Sequence, residues 1–173
     1  MKNKYLSIIN HKYFDNISSI EDIELYDLFE TDNFILYVIV DINKEKNLIR
    51  AKKFPLKSEV EEKDFILNLS KEEDLKQLYF LFKSKEKNKK ENRFYFKLEK
   101  YTKQNFDKSE AKNYKLHDII IDSSNKSWFI NSIDIEENKI EVVKLPVVLD
   151  QLAHTFLSVE KEIIQDSIKE IWR

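Results

Sequence analysis

Phe34 to Ile42 reads FILYVIVDI, and its composition decides the first question about the fold. The run is almost continuously apolar and rich in β-branched residues, which predicts a central strand covered on both faces. It is too short to span a bilayer, and no apolar run in the chain reaches the roughly 18–20 residues that spanning requires. Asn43-Lys44-Glu45-Lys46-Asn47 follows as a turn, and Leu48–Phe54 returns as the second, amphipathic strand of a hairpin.

Outward from that hairpin, Tyr5–Phe14, Phe65–Leu69 and Arg93–Tyr101 read as further strands. His117–Asp122, Trp128–Ile135 and Lys139–Leu145 read as a three-stranded meander of the kind found in small SH3-like barrels. Glu136-Glu137-Asn138 turns its last hairpin. Thr102–Asn113 reads as a loop. Pro55 and Pro146 each follow an apolar residue at a strand end and act as terminators.

Three helices are expected. Ser18 and Glu21 have capping-box spacing, and Ile20, Ile23, Tyr26 and Phe29 recur every three residues, predicting a helix over 19–30. Ser70, Glu72, Glu73 and Asp74 open a helix over 70–85, with Leu75, Leu78, Tyr79 and Phe82 as its stripe. Leu149, Leu152, Ala153, Phe156, Leu157, Ile163, Ile164, Ile168, Ile171 and Trp172 predict a long C-terminal amphipathic helix over 149–172. Its stripe also offers a surface for homodimerisation. No internal repeat is evident along the chain. The expected architecture is a single α+β domain, 1–173: a mostly antiparallel sheet with packed helices. Its sub-structure would be an α+β portion, 1–113, and a meander with its helix, 114–173.

The chain of 173 residues has no glycine and no cysteine. An average chain of this length holds about 12 glycines. Glycine-dependent phosphate loops, dinucleotide fingerprints, nucleophile elbows and EF-hands are therefore absent. The lack of cysteine removes disulfides, thiolate catalysis and Cys-based zinc sites. Positive φ must come from other residues, and asparagine tolerates it best. Asn43, Asn47, Asn88, Asn125 and Asn138 stand at expected turns.

Catalytic constellations are thin. His11, His117 and His154 lack paired metal spacing. Two Glu-x-Lys strings, Glu61-Glu62-Lys63 and Glu137-Asn138-Lys139, fall in a loop and a turn; Asp122 is a candidate upstream carboxylate for the second in a metal-dependent nuclease. No cofactor, catalytic residue or metal ligand is expected, and the sequence suits a cytoplasmic protein without a signal peptide.

Charge segregation is the positive signal. The net charge is −2, yet 36% of residues are charged. Residues 15–32 carry seven acidic and no basic side chains, and 59–74 seven acidic against two lysines. Glu21, Glu24, Asp27, Glu61 and Glu62 are thus candidates for docking on a larger protein or ribonucleoprotein. The expected role is non-enzymatic binding, in the manner of an inhibitor or immunity protein of a phage or mobile element. Residues 83–103 carry nine basic against three acidic side chains interleaved with aromatics. Lys85, Lys87, Lys89, Lys90, Arg93, Tyr95 and Tyr101 are the candidates for the alternative, an RNA or single-strand binding surface.

Overall fold

A computed structural model describes residues 5–7, 12–14, 19–56, 64–78, 80–83, 95–97, 101–145, 154–158 and 167–173. The strands are β1 (Tyr5–Ser7), β2 (Lys12–Phe14), β3 (Leu28–Glu30), β4 (Leu36–Asn43), β5 (Leu48–Lys53), β6 (Phe65–Asn68), β7 (Phe80–Lys83), β8 (Tyr95–Lys97), β9 (Ile119–Asp122), β10 (Ser127–Asp134), β11 (Lys139–Lys144), β12 (His154–Ser158) and β13 (Ile168–Trp172). Among the described residues a short α-helix, α1 (Glu72–Lys76), stands with the strands, Ser167 is also helical, and 3-10 turns lie at Ile20–Asp22 and Ala111–Asn113. No described helix is long and apolar enough to cross a membrane.

The fold is mainly β, which corrects the α+β expectation. All described strand pairs are antiparallel. One sheet runs β2-β7-β3-β4-β5-β6, another β12-β11-β10-β9-β13, and β1 pairs with β8. In 19–30 and 149–172 most of the expected apolar stripe is β-branched or aromatic, which loses side-chain freedom in a helix and packs well on a pleated surface; in 70–85 the stripe is split between leucines and aromatics.

In the range 19–30, Ser19 rather than Ser18 caps a single 3-10 turn, and Leu28–Glu30 becomes β3. In 70–85, Lys71 takes the cap position, α1 lasts five residues, and Phe80–Lys83 becomes β7 between β2 and β3. The long C-terminal helix is replaced in the described residues by β12 and β13, which pair with β11 and β9. The three-stranded meander is therefore the middle of a five-stranded sheet.

A second correction is larger: the chain is an internal duplication. Six described residues hold positive φ, and they form three pairs 91 positions apart: Tyr26 with His117, Phe34 with Asn125, and Asn47 with Asn138. The hydrogen bonds repeat with them. Tyr26 N–H donates to Ile39 O as His117 N–H does to Ile130 O, and Phe54 N–H donates to Leu36 O as Leu145 N–H does to Ser127 O. The β4–β5 register shifts between Ile39 and Asp41; the β10–β11 register shifts between Ile130 and Ser132. Each bulge inserts one residue and bends its strand at the same place.

The first unit spans β1 to β7 and the second β8 to β13. Two segments stand in for the missing pairings. Thr102–Gln104 lies along β13 as β2 lies along β7. β1 and β8, 90 positions apart, pair with each other about Leu6↔Phe96, with Tyr5↔Lys97 and Ser7↔Tyr95 to either side. Exchanging the units maps that ladder onto itself, as a two-fold axis through the Leu6–Phe96 pair requires.

Packing follows the duplication. Ile20, Ile23, Phe29, Ile39, Ile49, Ala51, Leu78 and Leu81 fill the core of the first unit. Ala111, Tyr114, Ile120, Ile130, Ile140, Val142, Ile168 and Ile171 fill the second, position for position. A third cluster joins the two units as a seam, with Leu28, Val38 and Phe54 on one side and Ile119, Phe129 and Leu145 on the other. Both faces of β4 are thus covered, one by its own core and one by the other unit. Burying each large seam side chain stabilises by about 1.5–3 kcal/mol.

The two hairpin asparagines give a direct comparison of backbone and side-chain roles. Asn138 Oδ1 accepts from Ala111 N–H and its Nδ2 donates to Ser109 O, anchoring the second 3-10 turn. Asn47 Nδ2 reaches only the exposed Ser70 hydroxyl. Asn47→Gly is expected to leave stability within about 0.5 kcal/mol of wild type, since glycine tolerates the same φ. Asn138→Gly is expected to cost about 1–3 kcal/mol, because a half-buried amide loses its acceptor. Urea denaturation of the two variants checks the difference.

Candidate functional site

The twin loops that lead into β3 and β9 carry the features that set a working surface apart from scaffold. In each, a 3-10 turn is followed by an exposed charged residue, an exposed leucine, an aromatic ring at positive φ and a buried aspartate. In order these are Glu24-Leu25-Tyr26-Asp27 and Lys115-Leu116-His117-Asp118. The φ values are 69° and 73°, unfavourable for residues with a bulky side chain.

The aspartates hold these loops. Asp27 Oδ2 accepts from Glu24 N–H at 2.9 Å, and Asp118 Oδ2 from Lys115 N–H at 2.9 Å. Each backbone is also tied across to the bulged strand, Ile39 N–H donating to Asp27 O and Ile130 N–H to Asp118 O. Asp118 further receives Arg173 through Nε at 2.9 Å and through the second guanidinium nitrogen at 2.8 Å. That pairing raises the Arg173 pKa above its ordinary value, against some desolvation. Arg173 also donates to Asn113 O, which fastens the chain to the second 3-10 turn. Beside it, Tyr114 is buried and donates to Lys108 O at 2.7 Å. Burial, with Asp107 and Asp118 nearby, pushes its phenol well above the usual range.

With the loops fixed, the leucines stand out. Leu25 is 46% exposed and Leu116 is 56% exposed at equivalent positions. Around them the charge inverts: Glu21 and Glu24 in the first loop become Lys112 and Lys115 in the second. Glu21 pairs with Lys44 at 2.9 Å and Lys112 with Glu110 at 3.3 Å, so Glu24 and Lys115 carry the contrast nearest each leucine.

The acidic candidates therefore divide. Glu21 and Glu24 are exposed on the first loop, whereas Asp27 is fully buried and serves as its anchor. Glu61 and Glu62 lie outside the described residues, as do Lys85, Lys87, Lys89, Lys90 and Arg93. Tyr95 belongs to β8 opposite Ser7. Tyr101 is only 3% exposed, with its ring tilted against Phe54, so it is a seam residue and not an open stacking platform.

His117 stacks on Phe129 with ring centroids 4.9 Å apart, His154 lies in β12, and His11 is outside the described residues. Asp122 accepts from Ser124 N–H, Lys126 N–H and the Trp128 indole, so its carboxylate closes its own turn. Among the described residues no group of three His, Asp or Glu side chains is placed to hold a metal ion. Sequence reading missed the leucines and the inverted loop because both depend on the duplication. The shared Leu-x-Asp string, at Leu25–Asp27 and Leu116–Asp118, was the one signal available.

A second unusual place lies in the seam. Glu30 is half-buried on β3, and desolvation raises its pKa, opposed by the charges of Lys144 and Lys126 from the second unit. Lys126 Nζ lies 4.8 Å from the centre of the Phe34 ring. The hydroxyls of Thr31 and of fully buried Ser127 have no hydrogen-bond partner. In the exchanged positions, Glu30 corresponds to Ile121 and Ser127 to Leu36, both members of the apolar seam cluster.

No protein-family model, no curated protein and no solved structure matches this chain in the comparisons made.

Two outcomes test the electrostatics. Asp118→Ala leaves the Arg173 guanidinium without its buried carboxylate and is expected to cost about 3–5 kcal/mol in urea denaturation. Glu30 has a folded-state pKa above its unfolded value, so the folded state binds its proton more tightly. Stability from this group is present below the unfolded pKa and is lost as pH rises through the folded pKa. Glu30→Gln is therefore expected to gain on wild type as pH goes from 4 to 7, read as a growing difference in melting temperature.

Proposed function

We propose that this chain is a non-enzymatic binding protein that docks on a larger protein through the twin loops 20–26 and 111–117. One observation carries the reading: an exposed leucine stands at the same place in both units, on a loop anchored by a buried aspartate. Exposed apolar side chains are common singly and need no explanation. A matched pair on two stiffened loops is a repeated contact element. Rigid presentation also lowers the entropy lost on binding.

The surrounding charge supplies orientation. The first loop presents Glu24 and the second Lys115, so a partner with basic and acidic patches in the matching order is accepted one way round. Rim charges of this kind act mainly on association rate and salt dependence, while the leucines act on dissociation.

The test uses the intact chain immobilised against extract of its host, with and without nuclease. Wild type is expected to retain a nuclease-resistant protein that Leu25→Ser/Leu116→Ser loses by at least tenfold. Glu24→Lys should weaken retention at low salt and matter little at high salt. A retained set identical for wild type and the serine variant removes the loops from the interface. Retention abolished by nuclease transfers the reading to nucleic-acid binding.

A further inference from the structure

The twin loops are complementary to each other. Glu21, Glu24 and Leu25 are exposed on the first, and Lys112, Lys115 and Leu116 are exposed at the same places on the second. Half-exposed Asp22 adds to the acidic side where the second loop has the neutral Asn113. Within the chain Glu21 is held by Lys44, and Lys112 by Glu110. Glu24 and Lys115 make no ion pair among the described residues, so their charges are left for a group from outside.

Position in the fold turns this likeness into self-complementarity. Points exchanged by a two-fold axis lie at one height along it, so the loops stand level with each other about the axis through Leu6 and Phe96. A second copy, turned over about a perpendicular axis, lays its first loop on the second loop of the original and its second on the first. Both contacts form at once, and the pair closes. Leu25 then meets Leu116 and Glu24 meets Lys115, twice over. Like loops match badly. Glu24 would face Glu24, or Lys115 face Lys115, and the nearby countercharges Lys44 and Glu110 are already taken.

We infer that a second copy of this chain docks on the twin loops as a closed dimer, the acidic loop of each copy seated on the basic loop of the other. The inference rests on exposure and charge, and it holds whether or not a larger protein also uses the loops. Where one does, dimer and complex exclude each other, and the dimer shields both leucines until the larger partner displaces it. Two small contacts make an interface of the weak, reversible class.

Sedimentation of the purified full chain tests this with no extract present, over about 10 µM to 1 mM. Wild type is expected to move from one chain mass to two. Glu24→Lys gives two basic loops and Lys115→Glu two acidic ones. Each is expected to associate with itself about tenfold more weakly than wild type, or worse, and an equimolar mixture to give a 1:1 heterodimer at wild-type strength. Glu24→Lys/Lys115→Glu exchanges the signs and is expected to dimerise like wild type. Leu25→Ser/Leu116→Ser is expected to stay monomeric. These side chains are exposed, so every variant should melt within about 2 °C of wild type.

A wild-type chain that stays monomeric over the whole range overturns the dimer. Association that the single charge reversals leave unchanged, or that the serine variant keeps, puts the contact elsewhere and overturns the role of the loops. A mixture that stays monomeric, when each reversed variant alone has lost its dimer, overturns the pairing of unlike loops. Masses rising past two chains overturn closure.

Discussion

The whole architecture depends on a chain without glycine holding three left-handed residues among those described in each unit. Backbone with a Cβ resists that region, and a bulky side chain resists it most. The buried aspartate at the foot of each loop answers the hardest of the three cases. Its carboxylate takes the amide three residues earlier, and its own peptide group is tied into the bulged strand. Tyr26 and His117 are thereby held at positive φ with their rings turned to the seam, where Tyr26 packs and His117 stacks on Phe129. Strain at these two positions is thus coupled to packing between the units, and neither element stands without the other.

Duplication changes how the molecule's differences are read. Several residues kept in both units, Asp27 and Asp118, Ile39 and Ile130, and Asn47 and Asn138, serve geometry or core. Among the many departures that change charge are the loop residues Glu21 and Glu24 against Lys112 and Lys115, and Glu30 in the seam against Ile121. A two-fold scaffold makes any single-sided charge conspicuous, because its counterpart is a built-in control with the same backbone and a different side chain.

Much of this was legible in the sequence and some was not, for physical reasons. Asn47, Asn125 and Asn138 take positive φ, as their tolerance of that region leads one to expect, and Asn43 closes the Lys46 turn through its side chain. The apolar run at 34–42 forms a strand covered on both faces. The helix over 19–30 failed because three-residue apolar spacing in an Ile-rich segment fits a 3-10 turn followed by a strand as well as it fits a helix. The repeat escaped because only eight of the thirty positions shared by 27–56 and 118–147 are identical. What is conserved between the units is φ, hydrogen bonding and burial, and a residue alphabet expresses those poorly: Tyr26 and His117, or Phe29 and Ile120, do one job with unlike side chains. The exposed acids Glu21 and Glu24 were readable as a surface; Asp27 was not separable from them, since a buried anchor and an exposed acid look alike in one dimension.

The bulges at Ile39–Asp41 and Ile130–Ser132 have a practical corollary. Beyond each bulge Asp41, Asn43, Ser132 and Asp134 are exposed, while Ile42 and Ile133 between them stay packed against the two cores. Lys44–Lys46 and Glu136–Glu137 are exposed at the hairpin tips. A fluorophore or a short peptide tag grafted there would report on the molecule from outside both cores, at two mirrored stations whose separation is fixed by the axis through Leu6 and Phe96.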